Sequence, residues 1–415
     1  MTLENDNSDV EDDEKYISSD SEEDWFFESG QQSNMFDDGF HMENAHQGSA
    51  TAYDNFRLPE NIKSKKNMCI ADVIKEHVLP LLPAKSLCRF KTVCKEWNEW
   101  ITNPFLAHKQ SHCFQDISGF FYQICGEHFF ISRDPDAYGI PSPSLGFLPE
   151  PVTLKSTCNG LICCQSYIGE NAYYICNPVN QDWRVLPRPN YYHGPESAAV
   201  LAFEPSTFNF AANYELVCAF PLADHPVIYF EIYSSRSKSW RLVDNLCYEL
   251  GDVKLSDDGF YMKGVVYWET SAGTILAFDL KNEHFGILPL PLESGPGGVL
   301  TKMHGELCYI MPHKQDNGYE IRIYGDFNMV LKQIIPLDSE VFTYIYGELR
   351  ALACLNDDVL VILAKNRMII YHVKEKKAEM LSSLTDAFVS YHPYVNSLVP
   401  VGNPLVRQQE ANSHL

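Results

Sequence analysis

The sequence predicts a small all-α module followed by an all-β propeller of six blades closed by its C-terminal strand, behind an acidic leader with no core of its own. Three observations predict this. An apolar stripe at helical spacing runs through residues 70–101. From about residue 150 onward, short alternating strands and polar turns recur with a period of about 45 residues. The first 60 residues carry most of the charge of a 415-residue chain whose formal net charge is −23.

Within residues 1–60, 17 Asp and Glu stand against Lys15 and Arg57, a net of −15 that leaves −8 for the other 355 residues. A segment so charged and so poor in apolar residues cannot bury enough surface to offset its chain entropy, so residues 1–66 are expected to be disordered, as is the polar end at 403–415. Trp25, Phe26 and Phe27 interrupt the acidic run as an aromatic knot. Ser19 and Ser21 each precede an acidic residue by three positions and are candidate phosphosites for an acidophilic kinase.

Composition also excludes function classes. A chain this acidic, without a dense Lys/Arg stripe, lacks the electrostatic footprint of a nucleic-acid binder. No apolar run approaches the length of a membrane span. The 13 cysteines are odd in number and scattered, no Asn-x-Ser/Thr sequon occurs, and no basic-then-apolar leader opens the chain. The expectation is an intracellular protein, cytoplasmic and/or nuclear, with reduced thiols.

The helical stretch begins at IADVIKEHVL, where Ile70, Val73, Ile74, Val78 and Leu79 recur at helical spacing and Asp72 complements a helix N-terminus. Pro80 limits that helix. After Pro83 the residues Leu87, Phe90, Cys94, Trp97 and Ile101 form one continuous apolar face, and Asn103-Pro104 stops it. Val93 and Trp100 lie off the stripe and want a partner, because a unit of ~40 residues is too small to complete its own core.

The repeat aligns YICNPVNQDWRVLP, FEIYSSRSKSWRLV, ILAFDLKNEHFGILPLP, IRIYGDFNMVLKQIIPL and MIIYHVKEKKAEML, with Cys176, Tyr233, Phe278, Tyr324 and Tyr371 in register. Seven positions on stand Trp183, Trp240, Phe285, Leu331 and Ala378. Each unit reads as a hairpin with a bulky apolar residue on its returning strand, preceded by an inner-strand candidate such as NGLICCQ, YELVCAF, GVVYWE, GELCYIM or DDVLVILA. Residues 112–402 hold about six such units. Since five repeats are visible, the sixth blade is expected from strands at 116–124 and 127–134 latched by one at 394–401, with the helical module outside the ring.

Chemistry is sparse. Cys158, Cys163 and Cys164 lack metal-ligand spacing and read as buried structural thiols, SGPGGV lacks the Lys-Ser/Thr of a phosphate loop, and His193, His225, His284 and His313 fall in predicted turns as surface residues. No catalytic residue, metal or cofactor is expected. The interval between Cys176 and Tyr233 exceeds its neighbours by the insertion NYYHGPES, so Tyr191, Tyr192 and His193 form a candidate target-binding loop, with FNFAAN following at 208–213.

Leu82-Pro83-Ala84-Lys85-Ser86-Leu87, then Arg89-Phe90-Lys91, Val93-Cys94-Lys95 and Trp97, then Ile101, Pro104 and Leu106, resemble an F-box of the plant type over residues 68–108. The resemblance implies docking on the Skp-family adaptor, and through it on a cullin, of an SCF-type ubiquitin ligase. It implies Ile70, Ile74, Val78, Leu82, Pro83, Leu87 and Val93 for the adaptor face, with Phe90, Cys94 and Trp97 holding the helices together. Two departures bear on affinity: the family's leading Leu-Pro reads Ile70-Ala71, and Pro80 stands where most members have a polar helical residue. STCNGLICC with YYICNPVNQDWRVLPRP, SRSKSW and LAFDLKNEHF resemble the F-box-associated, Kelch-like domains of plant F-box proteins. The function so implied is a non-catalytic substrate receptor whose propeller binds an unknown target protein for ubiquitination. The alternatives are an F-box scaffold or regulator outside the ligase, and a propeller enzyme or carbohydrate binder, which would need a polar central channel that no cluster in the sequence announces.

Overall fold

Helix geometry takes three forms within the first thirteen described residues, and the tightest of them has a proline behind it. The computed structural model describes residues 69–402 except 195–196, 223–224, 251–252, 292–296, 317, 339, 344–346 and 384–389. The acidic leader with Trp25, Phe26, Phe27, Ser19 and Ser21, and the polar end 403–415, lie outside the described residues. Helix α1 (Ile70–Val73) opens on a reciprocal cap: Asp72 N donates to Cys69 Sγ at 3.4 Å and Cys69 N to Asp72 Oδ2 at 3.3 Å. The chain widens into a π turn over Ile74–Val78 and tightens into a 3₁₀ turn over Leu79–Leu81. Pro80 has no N–H to give the carbonyl four residues back. Lys109 fills that place, its ammonium donating to the Glu76 carbonyl at 2.7 Å and lying 3.2 Å from the Glu76 carboxylate.

The stripe from Leu87 to Ile101 is two helices, α2 (Ala84–Phe90) and α3 (Lys95–Thr102), and not one. Thr92 Oγ1 donates to the Arg89 carbonyl at 2.8 Å and Cys94 is extended, with φ −159°. A local hydroxyl bond and the β-branched pair Thr92-Val93 end the first helix there. Helix α4 (Pro104–Cys113) starts with proline in its first turn and the Asn103 side chain accepting from Phe105 N at 2.9 Å.

The rest is a six-bladed propeller. Strands β1 (Ile117–Ile124) and β2 (Glu127–Ser132) come first, then the short helix α5 (Pro135–Tyr138). Four-stranded blades follow: β3 (Val152–Cys158), β4 (Leu161–Ser166), β5 (Tyr173–Asn177) and β6 (Asp182–Val185); then β7 (Ala198–Ala202), β8 (Glu215–Leu222), β9 (His225–Ser234) and β10 (Ser239–Leu242). The third such blade holds β11 (Phe260–Met262), β12 (Val265–Glu269), β13 (Thr274–Asp279) and β14 (His284–Pro289). The fourth holds β15 (Val299–Met303), β16 (Glu306–Gln315), β17 (Gly318–Gly325) and β18 (Val330–Pro336), followed by helix α6 (Glu340–Thr343). The fifth holds β19 (Leu349–Leu355), β20 (Val359–Ala364), β21 (Arg367–His372) and β22 (Lys377–Ser383), and β23 (Tyr391–Val395) returns to the start.

The aligned pairs of the repeat are cross-strand partners in every one of these five blades: Cys176 with Trp183, Tyr233 with Trp240, Phe278 with Phe285, Tyr324 with Leu331, Tyr371 with Ala378. The hairpin between them turns each time on a non-glycine residue of positive φ at one repeat position: Gln181 (52°), Lys238 (57°), Glu283 (55°), Met329 (47°) and Lys376 (52°). The strands read as inner, such as NGLICCQ, are second from the axis. A further short strand lies inside each of them, β3, β7, β11, β15 or β19. Three of the inner hairpins close on a two-residue turn with both φ positive, Asn159-Gly160, Lys263-Gly264 and His304-Gly305, the geometry that matches strand twist.

Closure follows the expected plan with a shifted strand. β23 pairs with β1, placing Tyr391 opposite Tyr122 and Tyr394 opposite Gly119, and β1 pairs with β2. The strand ends at Val395. Residues 396–401 continue as a buried strap against the neighbouring blade, where Asn177 Nδ2 donates to the carbonyls of Ser397 (2.9 Å) and Val399 (2.7 Å) and Asp182 accepts from Val401 N (3.0 Å).

The helical module lies outside the ring's circuit yet shares its core. Leu79, Ala84, Leu87, Ile101 and Leu106 belong to one apolar cluster with Phe121, Leu154, Ile162, Cys176, Tyr394 and Leu398. Gln110, fully buried, ties three elements: its amide nitrogen donates to the carbonyls of Leu82 (3.3 Å) and Asn396 (3.4 Å), and its oxygen accepts from Leu398 N (2.9 Å). Because strands alternate in direction, inner hairpins and outer hairpins share one face of the ring, the one carrying the module. The links 167–172, 186–194 and 270–273 lie on the far face.

Candidate interaction surfaces

The module presents an unpartnered apolar row. Ile70 (80 %), Val78 (42 %) and Val93 (61 %) are exposed, as are Leu81 (59 %) and Val73 (38 %), which the sequence reading had not assigned to this face. Ile74, Leu82 and Pro83 are half-buried beside them. Leu87 is a correction. It has no exposed surface and packs in the shared core, where the helix break at 91–94 leaves it facing inward. Phe90 and Trp97 meet edge-on at 5.3 Å, as expected of residues that hold α2 to α3. Cys94 does not join them: it is exposed, at the N-cap position of α3 but without a side-chain capping bond. Trp100 finds its cover in Trp97, stacked at 6.4 Å, and in the Lys75 ammonium 6.0 Å above its ring.

The ring braces this module from two sides. Lys85 donates to the Pro135 carbonyl, and Arg89 to that of Asp136 at 3.2 Å, both at α5. On the other side the one long inner-hairpin connection, residues 203–214, reaches α4: His108 donates to the Ser206 carbonyl at 2.8 Å and Phe105 lies 4.8 Å from Phe210. Phe210 of FNFAAN is therefore spent on the module, on the face opposite residues 190–194, while Phe208 stays exposed.

Two family models match in the same order as these parts, an F-box domain over residues 67–109 and an F-box associated beta propeller domain over residues 150–401. The chain belongs to the F-box proteins with an associated β-propeller. It is 24 % identical over 373 residues to F-box protein At5g49610 of Arabidopsis thaliana, covering 81 % of this chain and 99 % of that relative. It is 28 % identical to F-box protein At5g07610 over 312 residues, 65 % of this chain and 72 % of the relative. A putative F-box/kelch-repeat protein of the same plant, At3g17540, is 28 % identical over 290 residues, 63 % and 70 % of the two chains. Among the described residues no helix is long and apolar enough to cross a membrane.

On the far face of this F-box propeller, the loop at 190–194 is held from below. Glu231 Oε1 accepts from Asn190 N (2.9 Å) and Asn190 Nδ2 (2.8 Å), while Oε2 accepts from Tyr191 N (3.4 Å) and meets His193 Nε2 at 2.9 Å. His193 is a second correction: at 3 % exposure it is no surface contact but an anchor, with Tyr173 Oη 3.2 Å from its other ring nitrogen and Phe220 and Trp240 against its faces. Burial alone would raise the Glu231 carboxyl. The bonds from His193 and Asn190 outweigh it and hold the group below its ordinary value. Tyr191 (40 %) and Tyr192 (70 %) stay exposed on that rigid base, beside a cavity of about 250 Å³ that reaches Glu170 and Arg188.

The cysteine cluster is structural. Alternation sends Cys164 into the core shared with the F-box and Cys163 into the next blade interface, and burial pushes the Cys158 thiol up to about 12. Among the described residues no three metal-ligating side chains converge.

The channel of the ring does hold a polar group, which the sequence reading did not foresee. It encloses about 430 Å³ along β3, β11, β15, β19 and β23. Four of its lining residues lie toward the far face: Glu269, Arg350 and His392 near the far-face ends of their strands, and Asp258 in the link just before β11. His392 Nδ1 is 3.3 Å from Asp258 Oδ1, and Arg350 is 4.0 Å from Asp258 Oδ2.

Proposed function

We propose that this protein is the substrate-recognition subunit of an SCF-type ubiquitin ligase, its F-box docking a Skp-family adaptor and thereby a cullin, its propeller presenting a target protein. The observation that carries the reading is the exposed row Ile70, Val73, Val78, Leu81 and Val93 on a module that completes its core against the ring. A helical unit with its core already satisfied has no internal use for five exposed apolar side chains, which together favour burial against another chain by several kcal/mol at about 25 cal/mol per Å². The Pro80 departure is compensated by Lys109, so the backbone leading into this face is held without the missing helical bond.

The opposite face supports the receptor half of the reading. Tyr191 and Tyr192 project from a loop fixed by Glu231, the rigid aromatic presentation that interfaces favour. The direct test is co-purification of the tagged full chain with adaptor and cullin, followed by proximity labelling with and without proteasome inhibition. The expected result is both subunits in the eluate and labelled proteins that accumulate on inhibition. Adaptor without cullin would move the reading to an F-box regulator outside the ligase.

A further inference from the structure

We propose that the connection between β7 and β8, residues 203–214, extends the F-box docking surface, and that Phe208 is its contact on the adaptor. The proposal rests on the reading of the F-box as an adaptor-docking module and deepens it. Its starting point is loop length. Three other inner hairpins close on two residues, Asn159-Gly160, Lys263-Gly264 and His304-Gly305, whereas twelve residues join β7 to β8.

The added residues form a built loop. Asn209 organises it: its side-chain nitrogen donates to the carbonyls of Glu204 (3.2 Å) and Asn213 (2.8 Å), and its side-chain oxygen accepts from Asn213 N (2.8 Å). The module clamps the same segment. His108 bonds the Ser206 carbonyl, His112 Nδ1 lies 3.2 Å from the Pro205 carbonyl, and the Phe210 ring packs against Phe105 and His108. Bracing therefore accounts for Pro205, Ser206, Asn209 and Phe210. It does not account for Phe208, which stands between anchored neighbours and is 98 % exposed. An aromatic side chain presented from a fixed backbone loses little further freedom on contact, which is why such residues anchor interfaces.

Position names the occupant. Phe105, itself 70 % exposed, stands one helical turn before Lys109 on the same face of α4. Lys109 reaches the Glu76 carboxylate, and Glu76 lies between Val73 and Val78, both exposed members of the F-box row. A chain of contacts thus leads from that row through Glu76 and Lys109 to Phe105, and through Phe210 to the loop that carries Phe208. All of it belongs to the face of the ring that holds the module. A chain seated on Val73 and Val78 meets this band at its edge, whereas a target held at Tyr191 and Tyr192 is separated from it by the ring.

The test measures the affinity of the full chain for a purified Skp-family adaptor by calorimetry, in wild type, Phe208→Asp and Phe208→Trp. Phe208→Asp should weaken binding by about tenfold or more, and Phe208→Trp should keep the wild-type affinity. Neither should move the thermal midpoint, because the side chain they replace is almost wholly exposed. A benzophenone amino acid placed at position 208 should cross-link to the adaptor under light, a readout that does not depend on the charge change. Undiminished affinity in Phe208→Asp, or a cross-link from position 208 that reaches only a second copy of this chain, would overturn the proposal and leave adaptor docking standing. Failure of the wild type to bind the adaptor would overturn both.

Discussion

Replacing Glu231 by alanine should be among the most costly single changes in the ring. The carboxylate is fully buried and serves Asn190 N, Asn190 Nδ2, Tyr191 N and the His193 ring. Removing it strands two backbone donors, a side-chain amide and an imidazole in a closed site. Each buried donor left without its acceptor costs about 1–3 kcal/mol, and more where the lost acceptor is charged, so the total should reach about 3–5 kcal/mol. Glu231→Gln keeps the shape and one acceptor oxygen, but turns an amide N–H toward a donor, so its cost should be smaller, about 1–3 kcal/mol. Chemical denaturation gives the magnitude, and hydrogen exchange at Asn190 and Tyr191 shows where it is lost. The sign with pH is fixed: the folded carboxyl lies below its unfolded value, so its contribution is complete above the unfolded pKa and disappears as pH falls through the folded one. The wild type should therefore lose more stability than Glu231→Gln on acidification below about pH 4.5. An alanine variant within about 1 kcal/mol of wild type, with unchanged protection at Asn190, would refute the anchoring argument.

Three further outcomes follow from the packing. Gly119→Ala should destabilise by more than about 2 kcal/mol in denaturation, because its Cβ would stand 2.2 Å from the Ile131 carbonyl and 2.6 Å from the Phe130 ring at the closing blade. Lys109→Met should lower the thermal midpoint more in the wild type than in a Pro80→Ala background, where a restored N–H can serve the Glu76 carbonyl, with a coupling of about 0.5–1.5 kcal/mol in a double-mutant cycle. Truncation after residue 390 removes β23 and the strap that bonds Gln110, so it should abolish adaptor capture together with ring stability. Capture retained by a soluble truncated chain would contradict the shared core.

What the sequence carried depended on how far apart the interacting residues lie. The hairpin pairs such as Cys176 with Trp183 are local, so register, spacing and turn position could be read directly. The innermost strands could not: Phe260–Met262 is three residues long and alternates too briefly to announce itself. His193 looked like a turn histidine because its partner Glu231 is 38 positions away. The channel group joins residues from 258 to 392 through ring closure, and no local pattern could bring them together. Leu87 and Cys94 share one stripe on paper, and the break at Thr92 sends one inward and the other to the surface.

The measurement closest to the central claim is the affinity of the full chain for a purified Skp-family adaptor, compared between wild type and Val78→Asp with Leu81→Asp. Both side chains are exposed, so the substitutions should leave the thermal midpoint within a few degrees while a charge in each apolar contact weakens binding by about a hundredfold or more. Undiminished adaptor affinity in that folded double variant would contradict the account.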